Sequence, residues 1–138
     1  MSESLDRSLS AKKVGELANV LSSKRVHQSE YVETGIPFFR SKEVILRSKK
    51  KPLENMLYIS EDRFNTLKET YGVPVKDDIL ISAVGTIGKI YLVEDIEFYF
   101  KDGNLLWLNN ISESITAKFL TIYLSSEEGQ RRISNITG

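Results

Sequence analysis

At 138 residues the chain suits one domain, and a domain of that size buries roughly two-thirds of the surface its unfolded chain would expose. Its 41% hydrophobic and 28% charged residues are those of an ordinary globular protein, and the lack of any cysteine excludes disulfides, thiolate zinc sites and cysteine nucleophiles. The 19 basic and 19 acidic residues cancel, no stretch approaches the run of about 18 apolar residues a membrane helix needs, and the polar start MSESLDRSLS lacks the apolar centre of a signal peptide, so the expectation is a soluble cytoplasmic chain with no membrane partner.

The cancelling total hides an uneven distribution. Between Lys12 and Pro52 ten basic residues stand against four acidic ones, an excess of six that the rest of the chain balances. One part of the sequence is therefore suited to face a polyanion. The bland alternative for the stretch Arg47 to Lys51 is a solvated loop.

Residues 1 to 11 read as a lead-in to a single domain over 12 to 138. In "KKVGELANVLSSKR" the apolar Val14, Leu17, Val20 and Leu21 fit either a strand entering a turn or one short helix. Loop chemistry follows: Ser22, Ser23, Gly35 and Pro37 punctuate, and Phe38 and Phe39 start an apolar, β-prone stretch. The spacing predicts a helix over 61 to 71, with Ser60 as N-cap, Glu61 and Asp62 in the first turn, Phe64, Leu67 and Tyr71 on one face, and Gly72 ending it before Pro74. Val75 to Asp78 form a turn. Two apolar strands then flank the glycines of "ILISAVGTIGKIYLV", and a third strand pair is expected around the Asp-Gly turn of "EFYFKDGNLLWLN". Finally "SITAKFLTIYLSSEEGQRRI" predicts a helix of about 12 residues with Ile115, Phe119, Ile122 and Tyr123 on one face, and Leu120 and Leu124 beside it. The order suggests an α+β fold with a β-rich irregular core and short amphipathic helices.

Gly85-Thr86-Ile87-Gly88-Lys89 superficially suggests a phosphate loop. A Walker loop places four residues between its glycines, follows its lysine with Ser or Thr, and opens a helix. Here two residues separate the glycines, Ile90 follows Lys89, and another apolar strand comes next. The third glycine of a dinucleotide fingerprint is missing as well. The glycines are better read as a corner between strands, from which Thr86 and Lys89 can approach a ligand.

Catalytic chemistry is thinly represented. His27 is the single histidine, which rules out histidine-rich metal sites and reads as a surface residue rather than a triad member. Asp77, Asp78, Glu94, Asp95 and Glu97, with Lys101, lack nuclease spacing and read as solvated turns. No Asp-Pro-Pro-Tyr or Asn-Pro-Pro-Tyr sequence is present to cradle a methyl-accepting amine.

Four stretches, "VGELANVLSSKRVHQSEYVETGIPFFRSKEV", "DDILISAVGTIGKIYLV", "FKDGNLLWL" and "FLTIYLSSEEGQRRI…TG", together resemble, in order and spacing, the target recognition domain of type I restriction–modification specificity subunits. The resemblance covers roughly residues 12 to 138. It implies a non-catalytic module that reads one half of a split duplex DNA site and works with modification and restriction subunits. It also implies that S-adenosylmethionine, ATP and magnesium belong to those partners, with no cofactor in this chain. The sequence reaches Gly138 without the long spacer helix that the resemblance leads one to expect. The expectation is accordingly an excised domain or a half-subunit, the latter able to self-associate.

On this reading base contacts come from polar side chains suited to groove edges, namely Lys24, Arg25, His27 and Gln28 in one cluster and Arg40, Ser41 and Lys42 in a second. Lys49, Lys50 and Lys51 suit phosphates. Tyr31, set among polar residues, is a further candidate, as are Thr86 and Lys89 at the glycine corner and Lys101, Asp102 and Asn104 at the Asp-Gly turn. Phe38, Phe39, Tyr91 and Trp107 are expected in the core. The competing class is a small protein-interaction module that docks through its C-terminal amphipathic helix.

Overall fold

The computed structural model describes residues 18–82, 88–103, 105–111 and 116–131. In chain order they form β1 (Asn19–Leu21), a 3-10 turn (Gln28–Glu30), β2 (Tyr31–Val32), β3 (Ile36–Phe39), α1 (Ser41–Ser48), β4 (Leu57–Ile59), α2 (Glu61–Thr70), β5 (Ile79–Ser82), β6 (Ile90–Leu92), β7 (Tyr99–Phe100), β8 (Leu105–Asn109) and α3 (Ala117–Ser125). One sheet has the order β1-β8-β5-β6 and the other β2-β4-β3-β7. All pairs are antiparallel except β3 with β7, where Phe38 lies opposite Tyr99 and Phe39 opposite Phe100.

Strand alternation distributes the apolar residues into three packed groups. Ile79 and Ile81 of β5 pack with Leu108 against Leu120, Tyr123 and Leu124 of α3. Leu80, on the opposite face of the same strand, joins Tyr91 and Trp107 against Phe39 and Phe100 from the second sheet, Phe98 just before β7 and Val44 from α1. Phe38, Ile59 and Tyr99 pack with Phe64 and Leu67 of α2. Apolar layers therefore cover both faces of each sheet, which is why β5 reads as an unbroken apolar run. Phe38, Phe39, Tyr91 and Trp107 are all buried, as the sequence suggests.

The helix expected over 61 to 71 is α2. The Ser60 hydroxyl accepts from Arg63 N–H at 3.1 Å, and Gly72 takes the positive φ of 88° that ends it. Tyr71 leaves the expected apolar face and is exposed. The glycine corner connects an antiparallel pair, with Ile79 opposite Leu92 and Ile81 opposite Ile90. Gly88 N–H donates to Ser82 O at 2.8 Å with φ at 87°, a backbone angle that an L side chain strains to adopt.

Three expectations are corrected. Phe38 and Phe39 end a strand rather than start one, and Ser41–Ser48 is a helix: Glu43 accepts from Arg40 N–H at 2.9 Å across the first turn, and fully buried Val44 seats the helix on the core. The pair expected around the Asp-Gly turn is not a hairpin. Gly103 does turn the chain, with φ at 89°, but β7 joins β3 in one sheet while β8 joins β1 and β5 in the other. At the C-terminus, α3 is nine residues long and buries Leu120, Tyr123 and Leu124. Phe119 and Ile122 are exposed, because packing on the β5 and β8 side chains selects the Leu120 and Leu124 stripe; Ile115 lies outside the described residues.

Candidate nucleic-acid interface

The parallel pairing of β3 with β7 sets the site. Lys101 N–H donates to Phe39 O at 2.8 Å, so Arg40 and Lys101 leave the ends of adjacent strands side by side. The segment before β2 supplies the opposite wall. The result is an open cleft of about 640 Å³ lined by Arg25, His27, Gln28, Tyr31, Arg40 and Lys101, with Val26, Leu57 and Asp102 completing it. The Tyr31 ring leans on Phe38 with centroids 5.3 Å apart, which anchors that wall to the core.

Two carboxylates that the sequence pattern did not single out hold these side chains in place. Glu30 accepts from His27 N–H at 2.7 Å and pairs with Arg63 Nε at 2.9 Å, fastening the loop that carries His27 and Gln28 to α2. Glu43 is fully buried; it accepts from Arg40 N–H, Nε–H and Nη2–H, each at 2.9 Å. The signal that could have found them is an acid three residues after each cap, in His-Gln-Ser-Glu and Arg-Ser-Lys-Glu. The Glu43 hydrogen bonds outweigh desolvation and raise the pKa of Arg40, so its charge is secure.

The other candidates are dispersed. Lys24 turns away: its N–H donates to the Tyr99 hydroxyl at 2.6 Å and its ammonium sits 4.9 Å from the centre of the Tyr71 ring. Ser41 is half-buried and Lys42 exposed on the first turn of α1. Lys49, Lys50 and Lys51 lie at its far end, where Lys49 shares a shallow depression with Lys89 and Gln130. Thr86 and Asn104 lie outside the described residues.

Some basic residues between Lys12 and Pro52 pair with the chain's own carboxylates. Arg40 is paired within the segment, and Arg47 bonds Glu94 and, at 3.2 Å, the Tyr91 hydroxyl. The same bonds from Arg47 and Tyr91 hold Glu94 below its usual pKa. Asp78 is corrected from a solvated turn residue to a buried one, accepting from Val75 N–H at 3.0 Å and from the Trp107 indole at 2.9 Å. Among the described residues no group of three or more His, Cys, Asp or Glu side chains is placed to hold a metal ion. Among the same residues no helix is long and apolar enough to cross a membrane.

No protein-family model matches the chain. A curated Haemophilus influenzae protein named as a putative type I restriction enzyme specificity subunit is 35% identical over 108 residues, 78% of this chain. The chain spans about a quarter of that relative's length, 26%. The fold is also similar to a chain solved in work on the complex assembly and conformational transition of the type I restriction–modification system, with TM-score 0.63 and 21% identity over 86% of this chain and 27% of that one. The HsdS subunit of Thermoanaerobacter tengcongensis gives 0.59 and 17% identity over 90% of this chain and 35% of that one. The specificity subunit of M. genitalium gives 0.52 and 21% over 88% and 28%. The α+β architecture is thus that of a segment of these subunits, in agreement with the resemblance drawn from the sequence.

Proposed function

We propose, from the premise that this chain is a homologue of one segment of the type I restriction specificity subunits, that it is a target recognition domain reading one half of a split duplex DNA site. The observation that carries this reading is the cleft, which gathers Arg25, His27, Gln28, Tyr31, Arg40 and Lys101 from three separate stretches of sequence. Arginine, lysine and glutamine carry the donor patterns that suit purine edges in the major groove, and Asp102 suits the amino group of cytosine. Lys49, Lys50 and Lys51 hold phosphates as flexible point charges. The eight residues of α1 span about 12 Å at 1.5 Å per residue, three to four nucleotide steps along one strand. On this reading the lysines at the far end of α1 meet phosphates outside the base pairs contacted by the cleft.

The domain covers residues 12 to 138, acts in the cytoplasm and performs no catalysis itself. Methylation and cleavage belong to modification and restriction subunits, which hold S-adenosylmethionine, ATP and magnesium. A second recognition domain, or a second copy of this one, reads the other half-site.

Selection of the purified chain against a randomised duplex library at about 50 mM and then about 200 mM salt tests the proposal. Enrichment of a short motif is the expected result. Retention without enrichment, or no retention at the lower salt, overturns it.

A further inference from the structure

We propose that Arg40 reads a guanine and that Glu43 is the positioning residue that sets its donor pair; this rests on the DNA-recognition reading above. Arg40 lines the cleft, whereas Glu43 lies beneath it with no exposure to solvent. The two carboxylate oxygens take the Nε and Nη2 hydrogens of one guanidinium edge, each at 2.9 Å, and the backbone N–H of Arg40 ties the same carboxylate to the start of α1. A guanidinium has five N–H donors in one plane. With the inner edge occupied, the outer edge formed by Nη1 and Nη2 keeps a parallel pair of donors.

Two parallel donors match two adjacent acceptors. In the major groove guanine offers such a pair, O6 and N7, whereas adenine places a donor beside its acceptor and cytosine presents a donor. The carboxylate fixes the plane before DNA arrives, so little rotamer freedom is lost on binding. Arg25 and Lys101 share the cleft but are exposed and, among the described residues, have no such carboxylate clamp, so their donors take a direction only on meeting a base. The geometry therefore singles out Arg40 among the cations of the cleft as the one with a preset direction.

The test compares motifs selected by the wild type, Arg40→Lys, Glu43→Gln and the double variant Arg40→Gln/Glu43→Gln, with a thermal melt of each. The double variant leaves no unpaired charge under the cleft and so keeps the measurement interpretable if a single variant unfolds. The wild-type motif should contain one guanine whose preference drops about 5- to 150-fold in the double variant, the range expected of a bidentate base contact. Arg40→Lys should lose the same guanine while keeping the salt slope. Glu43→Gln should weaken that position several-fold and leave the others unchanged. Uniform weakening across all positions with a shallower salt slope would make Arg40 a phosphate contact and overturn the assignment. A lowered melting point in Glu43→Gln with an unaltered motif would reduce Glu43 to a structural residue and overturn its positioning role. If the wild type enriches no motif, the recognition reading fails first and this assignment falls with it.

Discussion

The Trp107 indole donates to Asp78 Oδ2 at 2.9 Å, joining the central strand β8 to the turn that leads into β5. The same oxygen accepts from Val75 N–H at 3.0 Å, so one buried carboxylate closes the turn and satisfies the core tryptophan. Asp78→Ala orphans both donors and should cost about 1–3 kcal/mol for each that stays buried. Burial raises the Asp78 pKa from its ordinary 3.8, the two hydrogen bonds opposing that shift only in part. A carboxyl raised on folding binds its proton more tightly in the native state, so stability declines as pH climbs from 3.8 through the raised value. Denaturant midpoints should accordingly show the wild type losing ground to Asp78→Asn over that window. A pH-independent gap between the two would contradict the assignment.

Glu94 has the opposite sign. Its hydrogen bonds with Arg47 and Tyr91 lower its pKa from 4.5, so their stabilisation is present above 4.5 and is lost as pH falls through the lower folded value. The Glu94 side chain is largely solvated, which keeps the effect small. Glu94→Gln should flatten the acid limb of a stability profile and leave the neutral region nearly unchanged.

Gly35 lies where the β2–β3 connection passes against β4. A Cβ there would stand 2.2 Å from the Ile59 carbonyl oxygen, a backbone atom that cannot swing aside. Gly35→Ala should lower stability by about 1–3 kcal/mol through overpacking. An unchanged thermal midpoint would mean that β4 gives way at little cost.

Glu30→Ala releases both His27 N–H and Arg63. The ion pair is partly solvated and worth at most about 1 kcal/mol to the fold, so the main consequence falls on the loop carrying His27 and Gln28. Affinity for the preferred duplex should drop several-fold with the salt slope intact, measured by fluorescence anisotropy. Neutralising Lys49, Lys50 and Lys51 together should do the reverse, making the slope shallower by roughly 2 to 3 units, about 0.9 for each phosphate that the protein no longer neutralises.

These differences follow the line between local and non-local information in the sequence. The α2 helix was legible because Ser60, Glu61, Asp62 and Gly72 announce both of its ends within a dozen residues. The glycine corner was legible for the same reason, its flanking strands pairing directly across it. Val44, Ile45 and Leu46 hid α1 because a short apolar run suits either element, and only the Glu43 cap and the packing on the core decide it. The partition of β7 and β8 between two sheets depends on β3, some 60 residues from β7, which no turn signal near Gly103 encodes. The cleft is a product of that partition. His27, Gln28, Arg40 and Lys101 were each visible as polar candidates, yet their meeting requires the parallel β3–β7 pair.

The measurement that bears most directly on the central claim is the ratio of affinities for the enriched duplex and a scrambled one, at a fixed salt of about 100 mM, for the wild type and for Arg25→Gln/Lys101→Gln. Both residues line the cleft and both are exposed, so their replacement leaves the core intact. If the cleft reads sequence, the wild type prefers the enriched duplex by at least about tenfold and the double variant loses most of that preference. A double variant that weakens on both duplexes equally, with the ratio preserved, would contradict reading by the cleft.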